Sequence, residues 1–462
     1  MKTIRIVSFA LAFLMVITGL TACGSDEPQT SGTSSTVSGT TTATTLENAA
    51  VSTTGTQSGE PTVSETVSQD VTTVTEPAAS TTTGAAVSTA ATKPTGGNKV
   101  TTTAATTVKT TVTTQPQSKP PVKPNPVKLT ALSTDEYYGY QYLAGNGGST
   151  AVYECVASGI EKMQDEISLE NTGVALSEKD LKSVMRCYHA DYPQHFWYNG
   201  AYSYVMNGSG EVLSVKPTYT MTTSQKQTAQ QKVDKAVKDL LEKAAYGQTE
   251  YDRELILHDA LADRVKYVDG TNAHNLYGAL VEGKAVCEGY ARAFQYLLYQ
   301  AGMQCLFVEG TSVRPGSSKG EAHAWNVVKI NGKYYHTDVT WDDQSDSLFS
   351  VIHAFFDLND AFIKEGHTIS ADNPYPIPSC NSTNDSYFVH ENIELKTFTV
   401  DKIAELFVRG NGTATIYLSK NTVNEFLTWF QANLSDISAA ANLKGKSFSI
   451  QYCGREVIIT TK

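Results

Sequence analysis

Three residues in the second half of the chain carry the side chains that nucleophilic catalysis by a thiol requires. Cys287 stands in the segment Gly-Lys-Ala-Val-Cys-Glu-Gly-Tyr-Ala, His323 in Glu-Ala-His-Ala-Trp-Asn and Asp338 in His-Thr-Asp-Val-Thr-Trp-Asp. A cysteine nucleophile needs a base that accepts its proton and a third group that orients the base. Together the three residue types predict attack of a thiolate on a carbonyl carbon.

The elements around these residues can bring the three side chains together. Cys287 opens a predicted helix that continues to Gly302, and the positive end of a helix favours a thiolate. His323 begins an apolar strand, and Asp338 lies in the next one. Asn331-Gly332 joins them as a hairpin turn. His323 is eight residues before this turn and Asp338 is six after it, so the two can be neighbours on one face of the sheet.

Each of the three residues also has an ordinary structural interpretation. Cys287 alone could be a buried core thiol, His323 a hydrogen-bonded strand residue and Asp338 the cap of a turn. His336 shares the face of Asp338 by strand alternation and is interpreted as a neighbour of the site. The joint occurrence of the three motifs in this order favours the catalytic interpretation.

The three motifs resemble those of the transglutaminase-like superfamily, which shares the papain-like cysteine-proteinase core. The patterns C-x-G-Y-A, H-A-W-N and D-x-T-W-D all have counterparts here, and the resemblance extends over about residues 252–343. It implies an α+β fold, in which a helix carrying the cysteine packs on an antiparallel sheet. It also implies Cys287 as nucleophile, His323 as general base and acid, and Asp338 as the orienting carboxylate.

Other residues near the motifs are candidates for supporting roles. The tetrahedral oxyanion needs hydrogen-bond donors, and the backbone N–H of Cys287 is one. Asn275 and Tyr277 are candidates for the second donor because they precede Cys287 in the same segment. Trp325 and Trp341 are interpreted as packing beside the site, with lining of a substrate groove as the alternative.

The first 23 residues predict a location outside the cytoplasm. Lys2 and Arg5 precede a nearly unbroken apolar run from Ile6 to Leu20, which is short for a membrane span and typical of a signal peptide. The sequence Leu-Thr-Ala-Cys that ends at Cys23 resembles a bacterial lipoprotein cleavage site. We therefore expect lipidation of Cys23 and anchoring to the outer face of the cell membrane; ordinary signal cleavage or an uncleaved anchor is the alternative.

Composition divides the rest of the 462 residues. From Gly24 to Pro126, 43 of 103 residues are Ser or Thr, and no aromatic residue occurs between Phe13 and Tyr137. Such a segment buries too little apolar surface to fold. The predicted organisation is a signal peptide, a disordered tether, a small α+β module, a transglutaminase-like catalytic domain and a C-terminal α/β module, over residues 1–23, 24–133, 134–222, 223–372 and 373–462.

Charge and cysteine usage exclude several classes of function. The net charge is −11 without a long basic run, which argues against nucleic-acid binding. His258 and His274 have no partner at metal-ligand spacing, so we expect no metal and no cofactor. With Cys23 and Cys287 assigned, five cysteines remain and cannot all pair within the chain; Cys155–Cys187 is the one candidate disulfide within the first module.

The leading hypothesis is a surface-anchored cysteine enzyme that acts on extracytoplasmic protein or wall peptide. The bacterial members of the family favour hydrolysis over amine cross-linking. The alternative is a catalytically silent module that binds peptide or glycan at the cell surface. A third hypothesis is a latent enzyme whose groove is covered by the first module.

Overall fold

The computed structural model describes residues 124–461 apart from 314–318 and 345–350, together with a short strand, β1 (Thr42–Leu46). The predicted signal peptide, Cys23 and the rest of the tether before residue 124 lie outside the described residues. Within the predicted tether, β1 pairs antiparallel with a strand of the first module. The described helices include none that is long and apolar enough to cross a membrane.

The first module consists of three helices and a small antiparallel sheet. Ser149 and Ser177, the latter predicted as a cap, accept backbone N–H bonds from Val152 and Asp180 and so begin two of the helices. The strand order of the sheet is β1-β3-β4-β2. The helices are α1 (Tyr138–Gly145), α2 (Thr150–Glu161) and α3 (Glu178–Asp191), and the further strands are β2 (Ile167–Ser168), β3 (Tyr198–Met206) and β4 (Val212–Tyr219).

The central domain combines three helices with a second antiparallel sheet of the order β10-β7-β8-β9, on which the helix that begins at Cys287 packs. Asn331 and Gly332 both have positive φ, as the predicted two-residue turn requires, and they connect β8 to β9. The helices are α4 (Thr223–Ala244), α5 (Glu250–Ala262) and α6 (Cys287–Gln300). The strands are β5 (Lys266–Tyr267), β6 (Lys284–Ala285), β7 (Cys305–Ser312), β8 (Glu321–Ile330), β9 (Lys333–Thr337) and β10 (His367–Ile369). Short helices α7 (Val339–Asp342) and α8 (Asp360–Ile363) lie between β9 and β10.

One continuous apolar core joins the first module to the central domain. It extends from Tyr137 to Cys380 and includes the buried faces of α2, α3, α5 and α6. Tyr137 stacks on Tyr299 of α6 with ring centroids 4.4 Å apart, and the Gln295 amide donates to the Ala190 carbonyl at 2.9 Å. The first module is therefore packed against the back of the helix that begins with Cys287.

The chain enters the central domain along the far end of α6. The N–H of Leu132 donates to the carbonyl of Tyr299 at 2.9 Å, and the N–H of Val127 donates to Ala245. Gly302 has a φ of +80°, and a Cβ there would lie 2.6 Å from the Thr130 carbonyl oxygen. The last residues of the predicted tether thus lie against the central domain.

The C-terminal module has a core of its own that reaches into the central domain. This core combines Ile352, Phe355 and Ile363 with the buried faces of the terminal elements. The sheet has the order β11-β12-β14-β13. Its strands are β11 (Glu394–Leu395), β12 (Thr413–Leu418), β13 (Phe448–Cys453) and β14 (Glu456–Thr461), and the helices are α9 (Tyr387–His390), α10 (Val400–Arg409), α11 (Val423–Ala432) and α12 (Leu434–Ala440).

The six cysteines among the described residues are all free thiols. The candidate disulfide between Cys155 and Cys187 is therefore wrong for this structure. Burial raises the pKa of the Cys187 thiol to about 12, so this group remains protonated at neutral pH.

Candidate active site

Cys287 is the first residue of α6, with Val286 as the N-cap. Its side chain lies at the positive end of the helix, where N–H groups without intrahelical partners favour an anion. The residue is 8 % exposed and packs with Ala291, Phe307 and Ala324, which form a small apolar cluster separate from the main core. This position combines restricted access with the positive end of a helix.

Gly289 explains why the cysteine motif contains a glycine two residues later. A Cβ at this position would lie 2.2 Å from the carbonyl oxygen of Ala273. The same carbonyl accepts the N–H of Val286 at 3.0 Å. The absence of a side chain at Gly289 therefore lets the segment at Ala273 pack directly on the first turn of α6.

His323 lies on β8 and connects Cys287 to Asp338. Its Nε2 is 2.7 Å from Oδ2 of Asp338, and Cys287 lies close enough to raise the pKa of the ring. Because the carboxylate occupies Nε2, Nδ1 is the ring nitrogen left to face the thiol. The structure thus brings together the three residues predicted as the catalytic triad, in the order thiol, imidazole, carboxylate.

The charges around His323 favour its protonated form. Burial alone would lower its pKa, but the Asp338 carboxylate and Cys287 outweigh burial and raise the pKa of His323 to about 10. An imidazolium beside a thiolate is the resting state that a cysteine nucleophile requires.

The raised pKa predicts how the reaction depends on pH. His323 keeps its proton through neutral pH and loses it as the pH rises through about 10. Because the leaving amine needs this proton, we expect kcat/KM to fall above about pH 10. The measurement is a pH–rate profile, with circular dichroism to confirm that the protein stays folded. A fall centred near the ordinary histidine value of 6.5 would contradict the assignment.

Asp338 follows β9 and forms the N-cap of α7, as its ordinary structural interpretation predicted. It is 0 % exposed, and its Oδ1 accepts the N–H of Trp341 at 3.1 Å. Burial alone would raise its pKa, yet His323 and His367 hold the pKa of this carboxyl well below its usual range. Asp338 is therefore an anion fixed by hydrogen bonds on both oxygens.

His367 was not among the residues predicted from the sequence. Its Nε2 is 2.9 Å from the same Oδ2 of Asp338 that His323 contacts. It lies on β10, in a stretch whose sequence contains none of the motifs. Only the pairing of β10 with β7 brings it to the site.

The two tryptophans take different positions. Trp325 is 1 % exposed, and its Nε1–H donates to Nδ1 of His336 at 3.1 Å, so the alternative that it lines a groove is wrong. Trp341 is half-buried, and its ring centroid is 5.8 Å from that of His323. Of the two tryptophans, only Trp341 has solvent-exposed surface next to the His323 ring.

Both side chains predicted as candidate oxyanion donors have other partners. Oδ1 of Asn275 accepts the N–H groups of Tyr277 and Gly278 at 2.9 and 3.3 Å. The Tyr277 ring stacks on Phe196 of the first module, and its hydroxyl accepts a bond from Lys232. These bonds use the Oδ1 acceptor of Asn275 and the hydroxyl oxygen of Tyr277, so the assignment of either residue as an oxyanion donor stays a prediction. The backbone N–H of Cys287 remains a candidate.

His274, the neighbour of Asn275, lies beside the nucleophile instead. Its Nδ1 is 3.1 Å from Oε2 of Glu288, and Glu288 also accepts a bond from Arg292 at 2.8 Å. The bond with Glu288 is the largest of the effects that raise the pKa of His274, and Cys287 adds to them. The sequence offered no signal for this contact beyond the proximity of His274 to the two predicted candidates.

The histidine clusters have hydrogen-bond geometry rather than metal-ligand geometry. Two ligand atoms of a tetrahedral zinc are separated by roughly 3.3 Å, whereas Asp338 Oδ2 lies 2.7 and 2.9 Å from its two histidines. His336 accepts the Trp325 N–H on Nδ1, so Nε2 carries its proton toward Asp360 at 3.0 Å. No lone pair of His336 is left for a metal.

A second ionic cluster supports the site from α5. His258 is fully buried, with Nε2 3.2 Å from Asp342 and Nδ1 3.0 Å from Asp259. Burial opposes protonation, but the two carboxylates raise the pKa of His258 to about 9. Asp342 also accepts the N–H of Phe355 at 3.0 Å, which links the third motif to the C-terminal core.

A pair of buried carboxyl groups lies next to the strand that leads to Asp338. Glu254 and Asp357 are both 0 % exposed, and Thr337 contacts one oxygen of each at 3.1 and 3.4 Å. Burial is the main cause that raises the pKa of Glu254 to about 8 and that of Asp357 well above its usual range. Both acids are therefore protonated in the folded protein at neutral pH.

We expect Glu254→Gln to stabilise the protein at alkaline pH. The folded carboxyl holds a proton that the unfolded chain releases near pH 4.5, so stability is lost as the pH rises from there to about 8. A neutral amide removes this loss, and we expect a gain above about 1 kcal/mol at pH 8 and little gain at pH 4.5. Urea unfolding at both pH values measures it, with exposed Glu242→Gln as the control. An equal effect at both pH values would contradict the assigned protonation.

The fold and the geometry together define a class. A thiol begins a helix, an imidazole on an antiparallel sheet contacts it, and a buried carboxylate holds the imidazole, as in papain-like cysteine enzymes. Residues 238–339 match the model of the Transglutaminase-like superfamily. This part of the chain is therefore a transglutaminase-like domain, as the motifs predicted.

The chain spans less than half the length of each of three relatives. The chain is 29 % identical over 126 residues to the kyphoscoliosis peptidase of Homo sapiens, covering 25 % of this chain and 19 % of that protein. It is 34 % identical over 83 residues to the kyphoscoliosis peptidase of Mus musculus, covering 16 % of this chain and 13 % of that protein. The crystal structure of a TGase is 14 % identical, with a TM-score of 0.22 over 28 % of this chain and 41 % of that one.

Proposed function

We propose that this protein catalyses cysteine-dependent acyl transfer on protein or peptide carboxamides and that water is its usual acceptor. The observation that carries the proposal is the line from Cys287 through His323 to Asp338, with its 2.7 Å bond between imidazole and buried carboxylate. Both relatives are named as peptidases, which supports hydrolysis. The restricted access to Cys287 fits an extended peptide better than a bulky folded surface.

The reaction has two halves. In the first, the Cys287 thiolate attacks the carbonyl carbon, and the backbone N–H of Cys287 is available to the oxyanion. The tetrahedral intermediate collapses with cleavage of the C–N bond, and His323 gives its proton to the leaving amine. In the second half, His323 takes a proton from water, the hydroxide attacks the thioester and the carboxylic acid leaves as the thiolate re-forms.

We also propose that the enzyme works outside the cytoplasm, attached to the membrane by a lipid on Cys23. The support is the sequence alone: a positive start, an apolar run and a small-residue segment before the cysteine. Its substrate would then be extracytoplasmic protein or wall peptide. Metabolic labelling with a radioactive fatty acid tests this, because the label should be lost in Cys23→Ala. Retention of the label in that variant would contradict lipidation at this site.

The reaction is tested with a peptide library incubated with the protein, with and without a primary amine. Cleavage, deamidation and amine incorporation change the peptide mass differently, so mass spectrometry separates the three outcomes. We expect cleavage or deamidation in wild type and neither in Cys287→Ala. If amine incorporation is the main outcome, the usual acceptor is an amine and not water. No product, together with a Cys287 that iodoacetamide modifies no faster than a free thiol, would favour a silent binding module.

A further inference from the structure

We propose that His367 is a positioning residue that fixes the carboxylate of Asp338 in the orientation His323 needs. The inference rests on the proposed function, because it concerns the group that orients the general base. His367 lies beyond the segment matched to the family model, which ends at residue 339. The site is therefore completed by a part of the chain outside that segment.

The hydrogen bonds around Asp338 leave its carboxylate no freedom to rotate. Oδ2 lies between two imidazoles, 2.7 Å from Nε2 of His323 and 2.9 Å from Nε2 of His367. Oδ1 accepts the N–H of Trp341 at 3.1 Å. Rotation about the Cβ–Cγ bond would break all three bonds at once. Without His367, only the bond to the His323 ring and the bond to the Trp341 N–H would remain.

The ring of His367 is itself held rigidly. The residue is 2 % exposed, and β10 pairs it with Ser312 of β7. Its ring centroid is 5.0 Å from that of Trp325 and 4.7 Å from that of Trp341. Because backbone and ring are both fixed, the Nε2–H donor has one direction, and a donor of this kind transmits its position to the acceptor.

The charge balance of the cluster suits a neutral donor at this position. Asp338 carries one negative charge, and His323 supplies one positive charge. Burial is the largest effect on His367 and lowers its pKa, and the nearby His323 acts in the same direction against the pull of Asp338. A neutral imidazole donates one N–H without competing with His323 as a second cation.

The test separates the hydrogen bond from the packing of the ring. His367→Phe keeps the ring and removes the donor. His367→Gln keeps an amide N–H with a reach similar to that of Nε2, and His367→Asn has the same amide but is too short. The probe is iodoacetamide, and the readout is the rate at which the peptide that contains Cys287 becomes modified in the full chain. Circular dichroism establishes which variants fold.

We expect His367→Phe and His367→Asn to slow the modification of Cys287 by roughly 10-fold or more, as loss of an outer hydrogen bond does at other sites. We expect His367→Gln to stay within about threefold of wild type, because it restores the donor. If the phenylalanine variant does not fold, the glutamine and asparagine pair decides the question.

Two results would overturn the proposal. One is a wild-type rate of Cys287 modification in His367→Phe and His367→Asn, in which no side-chain donor reaches Asp338. The other is an equal loss of the Cys287 modification rate in all three variants. The packing of the histidine ring, and not its hydrogen bond, would then explain the wild-type rate. His323→Ala distinguishes this failure from failure of the proposed function. If Cys287 of the wild type reacts no faster than a free thiol and its rate is unchanged in His323→Ala, both the proposed function and this inference are overturned. If the rate depends on His323 and not on His367, only this inference is overturned.

Discussion

Cys287→Ala is expected to reduce acyl transfer by a factor of roughly 10⁴–10⁶, the scale on which removal of the nucleophile acts in enzymes with a triad. The alanine cannot form the thioester, and His323 and Asp338 then have no nucleophile to activate. The loss should appear in kcat, because the backbone that contacts the substrate is unchanged. The measurement is product formation from a cleaved library peptide, together with mass spectrometry of the intact protein for the acyl adduct.

The matched control for this result is Cys155→Ala. Cys155 is a free and partly exposed thiol on α2, and burial is the main cause that raises its pKa. Its replacement should leave activity and adduct formation unchanged. Activity that survives in Cys287→Ala, or that is lost in Cys155→Ala, would refute Cys287 as the nucleophile.

His258→Leu is expected to destabilise the fold by about 3–5 kcal/mol, the usual effect of removing one partner of a buried ion pair. The substitution leaves the Asp342 carboxylate fully buried without its 3.2 Å partner. Because Asp342 also fixes the N–H of Phe355, the damage should reach the contact with the C-terminal core. Urea unfolding at neutral pH measures the change in the free energy of unfolding.

The same ion pair gives a pH dependence of defined sign. The pKa of His258 is about 9 in the folded protein and 6.5 in the unfolded chain. Its contribution to the free energy of unfolding is therefore complete below about pH 6.5 and is lost as the pH rises through about 9. In His258→Leu this part of the alkaline loss should disappear. His274→Leu, at a side chain 56 % exposed, is the control and should change stability by less than about 1 kcal/mol. Equal stability of wild type and His258→Leu would show that the pair contributes nothing beyond apolar packing.

Sequence reasoning succeeded where the physical signal is local. Ser177 begins α3, and Asn331-Gly332 forms the turn between β8 and β9, because caps and two-residue turns depend on a few adjacent residues. Cys287, His323 and Asp338 could be recognised together because each lies inside a motif with its own spacing. The hairpin register then brought two of them within 2.7 Å.

Sequence reasoning failed where side-chain direction or distant pairing decides. The contacts of Asn275 with the local turn and of Tyr277 with the first module could not be predicted from their nearness to Cys287 in the chain. His367 is 44 residues from His323 and reaches Asp338 only because β10 pairs with β7. The predicted boundary between the first module and the catalytic domain, at residues 222 and 223, was placed where strands give way to a helix. That change of element gave no indication that one apolar core includes residues from both parts.

The path by which the chain enters the central domain also determines where a pulling force would act. Residues 127–132 are bonded at Ala245 and at Tyr299, near the C-terminal end of α6. Cys287 is at the opposite end of this 14-residue helix, about 20 Å away at 1.5 Å per residue. Tension applied to the chain just before residue 127 would thus load the rear of the helix, and the nucleophile lies at the opposite end.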